Sequence, residues 1–259
     1  MAGSNQTTRS REAGGASMRR LPLYYRLGQK VLAAGVSNLS SSAIGNELLL
    51  EPTQVRKDLE MIGISGKPKV GFAVADLLRG IETFLGWDRP KEAVLVGVGG
   101  LGSALLRYER FREYGISIAA AFDTDPMKIG TPIGGKEVLI LDSLPGRARR
   151  MGVQLGIITT PPQAAQRVAD LMVEGGIRAI WNFAPVHVRV PGHVVLQNED
   201  LGHSLAALSL KLARRAAATD GSSHEPFPGA AAFFDALALE DVPQFSDASL
   251  EEDADPKDR

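Results

Sequence analysis

Apolar residues recur at helical spacing in the first third of the chain and as short unbroken runs after it. From Leu21 to Ala34, the residues Leu23, Leu27, Val31 and Ala34 share one helical face, with Pro22 suited to a first turn and Gly35 to a stop. Serines ahead of Ala43, Ile44 and Leu48 can cap a second, short helix. A tight connection, Leu49 to Pro52, leads to a third helix over Pro52 to Ile62, whose inward face is Val55, Leu59 and Ile62. Thr53, Gln54, Arg56 and Lys57 are left outward. Gly63 to Phe72 then reads as a turn, a short hairpin or wing with Lys67 and Lys69 near its tip.

Beyond residue 90 the pattern alternates strand and helix. Ala93 to Val96 is an apolar run that enters Gly97-Val98-Gly99-Gly100-Leu101-Gly102, and a helix follows from Ser103 to Tyr108. Ile116 to Phe122 is a second strand, ending in Asp123. Further strands are expected over Gly134 to Ile140, Val153 to Thr160 and Ile177 to Trp181, with helices over Asp142 to Met151 and Gln163 to Glu174. His187 to Pro191 and His193 to Gln197 suggest a pair of edge strands. A last helix carries Leu201, Leu205, Leu208 and Leu212 on one stripe, apolar enough to need a partner surface. The fold class is α/β: a helix-turn-helix module with a wing, then a Rossmann-type doubly wound domain.

Each half carries candidate chemistry. A helix fits the major groove, where Arg56 can reach guanine and Gln54 adenine; Thr53 lies beside them, and Lys57, Lys67 and Lys69 suit phosphates. A three-helix bundle whose polar face meets only water has the same pattern. In the second half, G-x-G-x-x-G between strand and helix, with Asp123 21 residues past Gly102, is the dinucleotide fingerprint. Asp123 can accept the ribose hydroxyls and repel a 2′-phosphate, which favours NAD(H). A CoA-type or nucleotide-sugar site, or a Rossmann domain that has lost its ligand, remains open on these residues. Thr159, Thr160, Asn182 and Phe183 end strands on the side expected to face the nicotinamide, and ordinary loop roles are equally open to them.

Charge sharpens the division. Residues 1–85 carry a net +4 and residues 216–259 a net −9, although the 259-residue chain totals −1. Residues 1–17 are polar and glycine-containing and are expected to form a flexible arm, and the acidic tail 216–259 is expected to be disordered, one apolar patch (Phe233 to Leu239) aside. Between them the expected divisions are 18–86 for the winged helix, 87–200 for the Rossmann domain and 201–215 for a dimerisation helix. Cysteine is absent, which excludes disulfides, thiolate metal sites and a cysteine nucleophile. No metal site is expected from four histidines, and no membrane-length apolar run is present, so the expected compartment is the cytoplasm. His187, His193 and His203 lack a marked acid partner in the sequence, and no proton donor is evident beside a nicotinamide. A DNA-binding module joined to a cofactor module without a catalyst points to sensing rather than to an enzyme. The alternatives are an NAD-dependent oxidoreductase with a helical appendage, its catalytic residue hidden among Thr159, Thr160, Asn182 or His187, and a nucleotide-binding interaction protein that uses the acidic tail.

Particular stretches resemble the Rex family of redox-sensing transcriptional repressors. They are Arg20-Leu21-Pro22-Leu23-Tyr24, Gln54-Val55-Arg56-Lys57-Asp58-Leu59, the glycine motif, Ala120-Ala121-Phe122-Asp123-Thr124-Asp125-Pro126, Ile129-Gly130, Asn182-Phe183-Ala184-Pro185-Val186 and Asp200-Leu201. The resemblance spans about residues 18–213 and implies a homodimer with a C-terminal helix exchanged between subunits. It implies that the apo or NAD⁺ form binds a palindromic double-stranded operator and that NADH releases it. It places Arg56 and Lys57 on the recognition helix, Gly97, Gly99, Gly102 and Asp123 at the cofactor, and Phe183 near the nicotinamide. It also assigns Arg20, Tyr108 and Asp200 to signal coupling. The sequence departs from the family around the wing, at Met61 to Lys69 and at Gly71-Phe72-Ala73, so the wing's contacts are expected to differ.

Overall fold

The computed structural model describes residues 4–219, and the chain divides into two compact units, the first ending at Leu85 and the second beginning at Gly86.

The first unit is built from α1 (Ser4–Ala33), β1 (Asn38–Leu39), α2 (Ser41–Leu48), α3 (Pro52–Met61), β2 (Phe72–Ala73) and α4 (Val74–Leu85). Ser40 caps α2: its hydroxyl accepts the Ala43 N–H at 3.0 Å. Leu49 takes a left-handed conformation, Pro52 opens α3, and the two helices are joined by only three residues. Leu21, Tyr24, Ile44, Val55, Leu59, Val74, Leu77 and Ile81 are fully buried and form the apolar centre of this unit. β1 and β2 pair antiparallel, Asn38 with Ala73 and Leu39 with Phe72. Between α3 and β2 the wing is a tight loop in which Lys67 and Gly71 exchange backbone hydrogen bonds of 2.8 and 2.9 Å.

Two expectations fail here. Helix α1 begins at Ser4, where an arm was expected, and Pro22 lies inside it rather than in its first turn. Polarity argues against an independent fold, but a helix anchored downstream by buried Leu21 and Tyr24 extends at little cost per residue. Helix α4 was not anticipated, although Val74, Leu77 and Ile81 repeat at helical spacing and are buried.

The second unit holds a seven-stranded sheet in the order β5-β6-β4-β3-β7-β8-β9. Its strands are β3 (Lys91–Val96), β4 (Ile116–Asp123), β5 (Pro132–Ile133), β6 (Lys136–Ile140), β7 (Leu155–Ile158), β8 (Ala179–Asn182) and β9 (Val195–Asn198). All pairings are parallel except the β5–β6 hairpin at one edge. The helices are α5 (Gly100–Leu106), α6 (Leu144–Met151), α7 (Pro162–Glu174) and α8 (Leu201–Thr219). The parallel strands read as continuous apolar runs because both faces are covered. Val94, Val96 and Phe122 pack with Leu144, Val168 and Met172, while Ala93, Leu95 and Ala121 face Phe111 and Ile157. The β3–β4 register shifts between Ala93 and Val94, opposite Ile118 and Ala120, which puts Ile118 and Ala121 on one face.

The expected strand over His187 to Pro191 is absent; the edge is β9 alone, parallel to β8. Asn182 holds that segment as a loop through its contacts with Ala184 and Val186, described below. Helix α8 runs to Thr219, four residues past the expected 215, and residues 220–259 of the expected acidic tail lie outside the described residues. No helix among the described residues is long and apolar enough to cross a membrane.

Candidate dinucleotide crevice and basic helix face

The sheet order reverses direction between β3 and β7, and in open α/β sheets ligands bind outside the strand carboxyl ends at such a switch point. The glycine loop leaves β3 there, and Thr159-Thr160 leave β7 beside it. Gly97 has φ +98°, and a Cβ on it would lie 2.7 Å from the Thr159 carbonyl oxygen and 2.8 Å from Thr160 Cγ2, so only glycine fits. A Cβ on Gly102 would strike the Gly97 carbonyl. The Thr159 hydroxyl donates to Gly97 O at 2.7 Å and ties the two loops together. By contrast, nothing lies within 4 Å of a Cβ built on Gly99 or Gly100, so the loop is open on the side where a pyrophosphate approaches.

Asp123, at the end of β4, is buried and closes this loop. Its Oδ2 accepts the Val98 N–H at 2.7 Å, and its Oδ1 accepts the N–H groups of Thr124 (2.7 Å) and Asp125 (3.0 Å). Burial alone would raise its pKa, but these N–H groups and the Lys128 ammonium outweigh it and hold the carboxyl below the usual aspartate range. Asp123 is therefore an anion already committed to the backbone, more engaged than a carboxylate reserved for ribose hydroxyls.

The remaining candidates separate by what they already hold. The Asn182 side chain is fully buried and satisfied: its amide donates to Val186 O (2.7 Å) and Asn198 Oδ1 (2.9 Å), and its oxygen accepts the Ala184 N–H (3.0 Å). It shapes the loop after β8 and has little left for a ligand. The Thr160 hydroxyl is the opposite case, buried with no hydrogen-bond partner among the described residues. Buried polar groups are rarely left so, and this one borders the open loop. Phe183 is half-buried with its ring 4.6 Å from that of Trp181. Trp181 Nε1 donates to Glu199 Oε1 at 2.7 Å, and the ring stacks edge-on to Phe111, as does that of Tyr108. Asp200 caps α8 by accepting the Gly202 N–H at 2.8 Å. Leu205, Leu208 and Leu212 are 63, 62 and 69% exposed on α8.

In the first unit, Thr53, Arg56 and Lys57 are exposed on α3, and Lys67 and Lys69 are exposed on the wing, with Lys69 in a left-handed conformation. Gln54 is partly engaged: one N–H of its amide donates to Asp58 Oδ1 at 2.7 Å, one helical turn on, which leaves the second N–H and the oxygen. Asp58 is the hub of this unit. Fully buried, it also accepts from Arg20 Nε (2.6 Å) and Nη2 (2.9 Å), the Tyr24 hydroxyl (2.6 Å) and the Ser17 hydroxyl (2.8 Å). Burial would raise Asp58, yet these donors together keep it below its ordinary value, while burial and the same carboxylate push the Tyr24 phenol up. Arg20 is thus already engaged by α3. The Asp58 cluster and Lys128 went unnoticed in the sequence: Asp58 stands within the Gln54–Leu59 stretch, but apart from Gln54 its partners are 34 to 41 residues away.

Comparison with known proteins fits both units. Residues 88–186 match the family described as "CoA binding domain", and residues 15–60 match "Putative DNA-binding protein N-terminus". The redox-sensing transcriptional repressor Rex of Treponema denticola is 43% identical over 196 residues, covering 76% of this chain and 93% of that protein. The Rex of Rhodopirellula baltica is 41% identical over 213 residues, covering 82% and 90%. The chain belongs to the Rex family. Among solved Rex-family structures, RSP in complex with β-NAD⁺ and operator DNA superposes with a TM-score of 0.73 at 31% identity, covering 81% of this chain and 97% of that one. RSP in complex with β-NADH gives 0.70 at 30% identity, covering 80% and 97%. Between them the two matched segments, and likewise both solved structures, span the glycine loop after β3 and the basic face of α3.

Proposed function

We propose that this protein is a redox-sensing repressor that grips a palindromic operator as a homodimer in its apo or NAD⁺ form and lets go when NADH binds. The observation that carries the reading is the open glycine cradle at the sheet's switch point, with an unpartnered Thr160 hydroxyl at its edge. It stands in a chain whose other unit exposes Arg56 and Lys57 on a short helix after a tight turn. The structures of RSP with NAD⁺ plus operator, and with NADH, support both halves.

In this reading the residues present fit a dinucleotide. Gly97, Val98, Gly99, Gly100, Leu101 and Gly102 form the bed for the pyrophosphate, and Asp123 fixes the loop and borders the adenosine ribose. Thr160 and Phe183 face the nicotinamide half. The bound nicotinamide supplies a ring whose charge and planarity change with redox state. Thr159 and Asn182 hold the loops that shape the crevice, a role that also leaves them poor candidates for acid–base catalysis. Arg56 reads a base edge, with Thr53 beside it, while Lys57, Lys67 and Lys69 meet phosphates. The leucine stripe of α8 is the surface for a second copy, and exchange of α8 between subunits would cover it. Two recognition helices then stand about 34–36 Å apart, so a rotation between subunits breaks simultaneous contact. Tyr108 and Asp200 lie on the unit that binds the cofactor and are the coupling positions there. The protein works in the cytoplasm, with the dinucleotide pool it reads.

The test is an anisotropy titration of a palindromic operator at one stated salt concentration, comparing apo protein, NAD⁺ and NADH. Tight binding abolished by NADH is expected. Operator affinity identical with NAD⁺ and NADH removes the redox switch, and absence of sequence preference removes the operator.

A further inference from the structure

Lys128 has so far figured only as a partner of the Asp123 carboxylate. Its backbone is fixed by the turn after β4: its N–H donates to Asp125 O at 3.0 Å, and its carbonyl accepts the Thr131 hydroxyl at 2.6 Å. Its ammonium lies 3.2 Å from Asp123 Oδ2 and 3.5 Å from Asp125 Oδ2, with the side chain about one-third exposed (34%). A cation is thus already parked beside the acid that, in this fold, borders the adenosine ribose. NADP-selective relatives of the fold place a cation, commonly an arginine, at this corner to take the 2′-phosphate.

We propose that Lys128 is a selectivity residue of the adenosine-ribose subsite: it forms a latent 2′-phosphate site, and the negative charge of Asp123 keeps that site closed. This rests on the dinucleotide reading of the glycine loop. The argument is one of charge count. Asp123 and Asp125 bring two negative charges, and Lys128 neutralises one. With Asp123 charged, a 2′-phosphate meets a net anion and Lys128 is already paired. With Asp123 made neutral but isosteric, one oxygen is left to serve the Val98 N–H, at the expense of the Thr124 and Asp125 N–H groups on the other side, and Lys128 turns from the lost carboxylate to the phosphate. Asp125 remains, so the gain is partial.

The experiment is a binding titration of NADH and of NADPH into the full chain, followed by nicotinamide fluorescence. The variants are Asp123→Asn, Lys128→Met and the pair together. Asp123→Asn should raise NADPH affinity at least tenfold, and adding Lys128→Met should remove that gain. A gain that survives Lys128→Met, or a folded Asp123→Asn protein with no gain, overturns the proposal. If Asp123→Asn does not fold, Lys128→Met decides alone: the NADPH-to-NADH affinity ratio should drop several-fold, and an unchanged ratio overturns the proposal. Wild-type protein that binds neither dinucleotide fails at the earlier step and takes the dinucleotide reading with it.

Discussion

Replacing Asp58 with alanine removes the acceptor of five hydrogen bonds from Ser17, Arg20, Tyr24 and Gln54. The carboxylate is fully buried, the Arg20 side chain is 13% exposed, and Tyr24 is fully buried, so the donors lose a charged acceptor that a neutral water does not replace. Removing one partner of a buried ion pair costs about 3–5 kcal/mol. An unsatisfied buried donor such as the stranded Tyr24 hydroxyl costs about 1–3 kcal/mol, which is part of that figure rather than an addition to it. Domains of ordinary stability have about 5–15 kcal/mol in total, so a loss of this size leaves the first unit near its unfolding point.

Both tryptophans, Trp87 and Trp181, lie in the second unit, which makes the effect separable. In urea, far-UV circular dichroism follows both units and tryptophan fluorescence follows the second. The expected result is an early dichroism transition displaced by about 3–5 kcal/mol, with the fluorescence midpoint held. A displacement under about 1 kcal/mol, the worth of one ordinary hydrogen bond, refutes the reasoning. The pH dependence has a definite sign. Asp58 titrates below its unfolded value, so its contribution is present above about pH 4 and fades as the pH falls through the native pKa. The gap between wild type and Asp58→Ala should therefore narrow on acidification below about pH 4 and stay constant from there to neutrality. Operator affinity should fall with the loosened α3, while NADH affinity holds.

Three further outcomes are expected. Arg56→Ala should cost about 1–3 kcal/mol of specific operator binding, read by anisotropy, and Lys69→Ala should instead weaken all sequences alike and reduce the salt slope by about one; equal effects on specific and random DNA take Arg56 off the base-contact list. Gly102→Ala drives a Cβ into the Gly97 carbonyl and should abolish NADH binding by titration while leaving apo operator affinity in place; retained NADH affinity removes the glycine loop from the site. Leu208→Glu puts a charge in the exposed leucine stripe and should convert a dimer to monomer in sedimentation, with loss of operator binding; an unchanged sedimentation coefficient removes that stripe from the interface.

What was legible in the sequence was whatever repeats locally. The apolar runs of β3, β4 and β7 and the glycine spacing required no knowledge of distant contacts, since both sheet faces are buried and the loop's demands are steric. The α2–α3 pair was legible for the same reason. What escaped was long-range or already spent. Asp58 received no role because its partners Ser17, Arg20 and Tyr24 sit on another helix. The tie from Gln54 to Asp58 was invisible because an amide with both hydrogens free and one bonded a turn later are written identically. Asn182 was placed near the ligand on the strength of its position at a strand end, yet its hydrogen bonds go to its own loop and to Asn198 at the end of β9. The start of α1 was missed because polarity was taken as a sign of disorder, when it bears only on burial.

The same distinction between spent and unspent groups indicates how the crevice can influence the rest of its unit. Asp123, Thr159 and Asn182 are bound to the backbone and cannot respond without breaking the site. The Phe183 side chain is held by apolar packing, with no polar tie, and it touches Trp181, whose Nε1–H reaches Glu199. Glu199 directly precedes Asp200, the cap of α8. A shift of the Phe183 ring therefore meets, through one indole, the first turn of the helix whose leucines await a partner. Trp181→Phe keeps an aromatic ring and removes only the donor. If this contact carries the signal, the variant should bind NADH with wild-type affinity but need more of it to release the operator. Release at an unaltered NADH concentration would show that α8 is moved by some other contact, and would leave the Trp181–Glu199 bond a structural tie.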